Sequence, residues 1–200
     1  AFITGTLLLT STGFICRILG FFYRIFMSRT IGAEGLGIYN MVHPIFSICF
    51  AVCAGSIQTA LSQYVAANQT RGRAVFRTGL VIAMGMSFLL AWVIYGNAGF
   101  LAEKLLLEPR CAPYLPLLSL LSFSMLPCCI HACINGYYYG MQKARVPAFS
   151  QVAEQVIRMG AVFLIASIWL ESGRQITVSL AVYGHLIGEM ASAVFTVFCL

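Results

Sequence analysis

The sequence predicts an all-α, polytopic membrane protein. Three observations carry this. Sixty per cent of the 200 residues are apolar and only 9% are charged, against about 25% charged in ordinary soluble domains. Mean hydropathy is +0.89. The apolar residues form long unbroken stretches rather than the alternating ten-residue strands of a membrane β-barrel.

Six stretches are long enough to cross a bilayer core that needs about 20 apolar residues: 3–28, 36–66, 73–100, 113–141, 147–170 and 176–200. The first is not a cleavable signal peptide, because it is too long and arginines interrupt it. Glycine-rich "TIGAEGLG" (30–37) predicts a turn after it. The second and third are parted by polar, basic "NQTRGR" (68–73), the third and fourth by "AEKLLLEPRCAP" (102–113). "QKARVP" (142–147) ends on Pro147, suited to a helix's first turn. "ESGRQ" (171–175) closes the fifth stretch. The chain starts with Ala and stops at "VFTVFCL", so a longer protein is expected, with this chain as its first six-helix lobe.

Lys and Arg in short loops set orientation. Arg71, Arg73 and Arg77 flank the 2–3 loop, and Lys143 and Arg145 lie in the 4–5 loop. The opposite side has Arg29, Lys104, Arg110 and Arg174, spread over three loops. The denser, acid-free loops place the 2–3 and 4–5 connections and the N-terminus in the cytoplasm of a bacterial cell. The net charge of +6 then suits an anionic leaflet and requires no nucleic acid.

Ionisable groups inside the spans are costly and mark function. Arg17 and Arg24 are two turns apart on one face, about 10 Å along the axis, with Gly13 and Gly20 beside Arg17. Snorkelling to the interface is an open reading for Arg24. Arg17 lies mid-span, where a protein-lined, water-filled cavity is the better home. In the fifth stretch Glu154 and Arg158 are four apart and face each other as a pair. In the sixth, His185 and Glu189 have the same spacing, either as a proton-handling pair or as counter-charge to a neighbouring arginine. Three arginines against two acids leave surplus positive charge, which suits an anion, and guanidinium is well shaped for phosphate oxygens. Pro44 and Pro127 permit kinks in the second and fourth stretches. His131 and Asn135 read as interhelical hydrogen bonders. The eight cysteines lack paired zinc spacing and read as small hydrophobes, so no metal site is expected. "GYYYG" (136–140) reads as an interfacial tyrosine belt. Neither a phosphate-binding loop nor a nucleophile with an evident base is present, so the sequence predicts a transporter rather than an enzyme, without a cofactor. Coupling to a proton, sodium or the membrane potential stays open.

"RILGFFYRIFMSRTIGAEGLGIYNMVHPIF" (17–46), "AGSIQTALSQYVA" (54–66) and "INGYYYGMQKARVPAFSQVAEQVIRM" (134–159) resemble bacterial polysaccharide-biosynthesis flippases, and more narrowly the stage V sporulation protein B group. These belong to the multidrug/oligosaccharidyl-lipid/polysaccharide exporter superfamily. "RILGF" also resembles the opening of lipid II flippases, which differ in the turn after helix one. The resemblance implies a V-shaped transporter of two six-helix lobes with alternating access, and a lipid-linked anionic sugar as substrate. It implies a diphosphate-binding role for Arg17 and, less closely matched in spacing, Arg24. For Arg158 that role is inferred from its position. The alternatives are a cation-coupled multidrug antiporter, which an arginine surplus argues against, and a non-transporting scaffold of wall-synthesis machinery.

Overall fold

The computed structural model describes residues 2–101 and 114–200; the expected 102–113 turn, with Lys104, Arg110 and Cys111, lies outside them. Helix α1 (Phe2–Phe50) passes through a π turn (Ala51–Gly55) into α2 (Ser56–Ala67). After a short 3-10 turn (Gln69–Arg71) come α3 (Gly72–Gly96), α4 (Tyr114–Gly140), α5 (Arg145–Glu171) and α6 (Ser179–Cys199), with a one-turn helix (Ala98–Phe100) following α3. Among the described residues, five helical runs are long and apolar enough to cross a membrane. No strand occurs among the described residues. Helices satisfy their own backbone hydrogen bonds, the condition for residence in lipid.

The first run, Ile3–Ala67, has 65 residues, about 98 Å at 1.5 Å per residue and three times the hydrocarbon thickness. It is not straight. Gly32 has φ 74° and ψ 172°, a combination open essentially to glycine alone. The residues on either side of it converge: Gly20 and His43 line one cavity of about 220 Å³. In a straight helix they would stand about 35 Å apart, so the chain doubles back at Gly32. The turn expected over 30–37 is therefore one residue, with helical backbone on both sides, because only Gly32 has to leave the α conformation.

The α4–α5 turn closes with a Schellman arrangement. Lys143 N–H donates to the Tyr138 carbonyl (2.9 Å) and Gln142 N–H to Tyr139 (3.0 Å), with Gln142 at φ 57°. The end of α5 repeats it, with Gly173 at φ 68° and Arg174 N–H donating to Trp169 (2.9 Å). Asn68 caps the 3-10 turn by accepting from the Arg71 N–H (3.4 Å).

Helix α4 is the centre of the bundle, touching α2, α3 and α6. Its most apolar window is 61% buried, against 11% for α5 and 17% for the α3 run. The main core joins Val42, Phe46, Leu61, Val65, Leu121, Met125, Cys129 and Cys133. A second core joins Met27, Val162, Ala166 and Leu180 where the start of α1 meets α5 and α6. Outward-facing Phe21, Phe88, Trp92, Leu164 and Phe198 are exposed, at no cost where the surrounding medium is hydrocarbon.

Two glycines of "GYYYG" do more than flank tyrosines. A Cβ on Gly136 would stand 2.7 Å from the Gln58 carbonyl oxygen, and one on Gly140 2.7 Å from that of Ser62 and 2.6 Å from the Val65 Cβ. Their absent side chains let α4 lie directly on α2, the small-xxx-small device of membrane helices. The tyrosines between them turn inward. Tyr137 packs on Phe76, ring centroids 5.5 Å apart, and buried Tyr138 donates its hydroxyl to the Cys199 carbonyl. The interfacial-belt reading is thus corrected at these two rings: the close α2–α4 approach leaves their apolar bodies a packed pocket.

Candidate functional site

The 220 Å³ cavity sits where the two halves of α1 face α5. Gly20, Tyr23, Arg24 and Met27 line it from the first half at helical spacing, and Leu36, Tyr39, Asn40 and His43 repeat that spacing from the second. Gln155 and Arg158 enter from α5. The lining contains two guanidinium groups and no carboxylate.

The carboxylates lie behind Arg158. Its Nη2 donates to Glu154 Oε1, one turn back on α5, and stands 3.7 Å from Glu189 Oε1 on α6. Glu189 Oε2 in turn lies 3.5 Å from His131 Nδ1 on α4. A chain of groups therefore runs from the cavity wall across α5, α6 and α4. Gly188 makes room for it: a Cβ there would stand 3.0 Å from the Arg158 Nε and 3.1 Å from its Cβ. The nearby Asn135 amide and Ser150 hydroxyl form a buried 3.4 Å contact between α4 and α5.

Arg24 reaches the cavity together with Arg158. Arg17 does not line it; it is exposed on the same helix face, two turns away. Neither Arg17 nor Arg24 has a hydrogen bond or ion pair among the described residues. A Cβ on Gly13 or Gly20 would meet nothing within 4 Å, so this face of α1 is open. Arg158 holds both Glu154 and Glu189, which leaves Arg17 and Arg24 without a carboxylate partner among the described residues. Glu189 is the counter-charge of a neighbouring arginine. His185, one turn before it, stands apart: its ring meets Phe46 edge-on at 4.7 Å and His43 at 5.9 Å. Pro44 and Pro127 both lie inside helices.

Sequence reasoning passed over Tyr39 and Asn40 as cavity residues, and over Cys128 and His131 as neighbours of Glu189. The first pair had a signal, since they share the i, i+3, i+4, i+7 face of His43. The second depends on which face of α6 meets α4, which no local pattern states.

A bundle of helices long and apolar enough to cross a membrane, with an arginine-lined recess, defines an all-α, multi-pass membrane protein. Residues 2–200 match the family described as polysaccharide biosynthesis protein, and the chain belongs to that family. It is 30% identical over 203 residues to stage V sporulation protein B of Bacillus subtilis (strain 168), covering 99% of this chain and 39% of that protein. It is 26% identical over 206 residues to the lipid II flippase MurJ of the same organism, covering 95% and 37%. Sporulation protein YkvU, also from that organism, is 20% identical over 195 residues, covering 97% and 42%. The chain thus spans about two fifths of the length of these relatives. No solved structure matches it.

Proposed function

We propose that this chain is the first lobe of a flippase that carries a lipid-linked, diphosphate-bearing sugar across the bacterial cytoplasmic membrane. The observation that carries the reading is the cavity: Arg24 and Arg158 line it, no carboxylate does, and Arg17 extends the positive face two turns further. Arg24 and Arg17 supply unpaired guanidinium forks for phosphate oxygens. Arg158, neutralised by Glu154 and Glu189, acts as a fixed wall that orients rather than attracts. Similarity to a lipid II flippase supports the substrate class. A second lobe would close the other side of the cavity, and the two would alternate access around it. Cell-wall, spore-cortex or surface polysaccharide synthesis is the setting this predicts, without enzymatic chemistry. A cation-coupled drug antiporter fits less well, since the acids turn away from the cavity toward Arg158 and His131.

The test is transport. The full-length protein in proteoliposomes should move labelled lipid-linked diphosphate sugar to the opposite leaflet, and Arg24→Ala should abolish that movement with the protein folded. Export of cationic drugs without sugar movement would establish the antiporter instead. Movement of neither, by protein with intact helical content, would leave a scaffold.

A further inference from the structure

One cluster carries chemistry that a phosphate-binding face does not use. Cys128 and His131 are three apart on α4 and leave one face of it. Helix α6 brings Glu189 against them. The thiol sulfur, an imidazole nitrogen and a carboxylate oxygen all lie within 4.8 Å of one another. Cys128 and Glu189 are 3% and 5% exposed. His131 Nδ1 and Glu189 Oε2 are 3.5 Å apart, buried, and each without a hydrogen-bond partner among the described residues. Polar atoms in that condition are costly to bury.

The spacing has a chemical reading. Zinc–nitrogen and zinc–oxygen bonds are about 2.0–2.2 Å, so two such ligands on a tetrahedron stand about 3.4 Å apart. That is the His131–Glu189 separation to within a tenth or so of an ångström. Charge gives the same answer. Glu154, Glu189 and Arg158 together carry one negative charge in a low-dielectric interior. A divalent ion bound by the Cys128 thiolate and the Glu189 carboxylate forms a neutral unit with neutral His131, leaving Glu154 and Arg158 to cancel each other. Binding releases the thiol proton, and no electron moves. Thiolate, imidazole and carboxylate together select a borderline-soft metal and disfavour magnesium, calcium or sodium.

We propose that Cys128, His131 and Glu189 form a zinc-class divalent metal site joining α4 to α6. Three protein ligands leave one coordination position free. The second oxygen of Glu189 stays with Arg158, so the metal would fix the far end of the charge chain behind the cavity wall. The site stands on its own residues, whatever the cavity carries.

The experiment uses the full-length protein, purified in detergent, stripped with a chelator and titrated with Co²⁺. One equivalent should bind with tetrahedral d–d absorption and a thiolate-to-cobalt charge-transfer band, and Zn²⁺ should displace it. Cys128→Ser should remove the charge-transfer band and His131→Gln should weaken binding, while Cys199→Ser leaves both unchanged. Should Cys128→Ser fail to fold, X-ray absorption of the zinc-loaded wild type decides: one sulfur in the coordination shell supports the site, and a shell of nitrogen and oxygen alone overturns it. Substoichiometric binding, or an unchanged spectrum in folded Cys128→Ser, also overturns it and leaves a proton shared between His131 and Glu189.

Discussion

Arg158 lies across Gly188, with its Nε 3.0 Å and its Cβ 3.1 Å from where a Cβ at position 188 would stand. The guanidinium reaches Glu189 only because that side chain is missing. Gly188→Ala should therefore press α6 away from α5 and lengthen the Arg158–Glu189 contact. Overpacking of this kind costs about 1–3 kcal/mol. Thermal unfolding in detergent measures it, with Gly160→Ala as control: a Cβ at 160 meets nothing within 4 Å, and alanine's better helix propensity should leave that variant unchanged or firmer. Equal melting of the two variants would contradict the packing argument.

Gly136 and Gly140 set the α2–α4 distance. Here the obstacle to a methyl group is backbone, the carbonyl oxygens of Gln58 and Ser62 at 2.7 Å, which cannot rotate aside. The Gly136→Ala/Gly140→Ala double variant should lose more stability than Gly188→Ala. A melting temperature at or above that of wild type would show that the two helices part without penalty.

Arg17 and Arg24 of α1 should rank differently in substrate binding. Arg24 lines the cavity beside Arg158, and Arg17 sits outside it. Hydrogen bonds to charged groups contribute about 1.5–3 kcal/mol each. Arg24→Ala should weaken binding of a lipid-linked diphosphate sugar about tenfold to a hundredfold, and Arg17→Ala less. Arg24→Lys should fall between, keeping charge but losing the bidentate fork. If lysine at 24 binds as wild type does, the arginine is an interfacial anchor.

Sidedness is predicted from basic loop residues. Arg73 begins α3 and Arg174 follows α5. A single cysteine replacing Arg73, on a cysteine-free background, should react with an impermeant reagent only from the cytoplasmic face, and one replacing Arg174 only from outside. Labelling of both from one face would refute it.

Much of the fold class was legible because a membrane segment announces itself: a helix in lipid must be apolar over its whole length, whatever it packs against. The pairing of Glu154 with Arg158 was legible for a related reason, since residues four apart on one helix meet without any tertiary knowledge. What lay across helices was not. Whether Glu189 faces Arg158, His131 or lipid depends on the rotation of α6 about its axis, and its sequence gives little of that. The Gly136–Gly140 spacing was visible, but the tyrosines between the two glycines suggested an interface, and only the approach of α2 shows which residues the helix uses for contact. Gly32 was hidden for the opposite reason: three glycines, 32, 35 and 37, sit in the one predicted turn over 30–37, and the chain bends at only one of them.

The π turn at Ala51–Gly55 acts as a phase shifter. Phe46 and Val65 belong to the same core, yet nineteen residues of regular helix at about 100° each would leave them about a quarter-turn out of step. One extra residue absorbed in a π turn removes that error and puts both on the α4 side. The helix can thus show one azimuth to His185 through Phe46 and keep it as far as Gly140 through Val65. Excising Val52, itself exposed, would restore an unbroken α-helix with eighteen steps from Phe46 to Val65, about five whole turns, and so keep Leu61 and Val65 turned toward α4. One residue inserted into the regular helix of α2 before Leu61, by contrast, would turn Leu61 and Val65 about 100° away from α4.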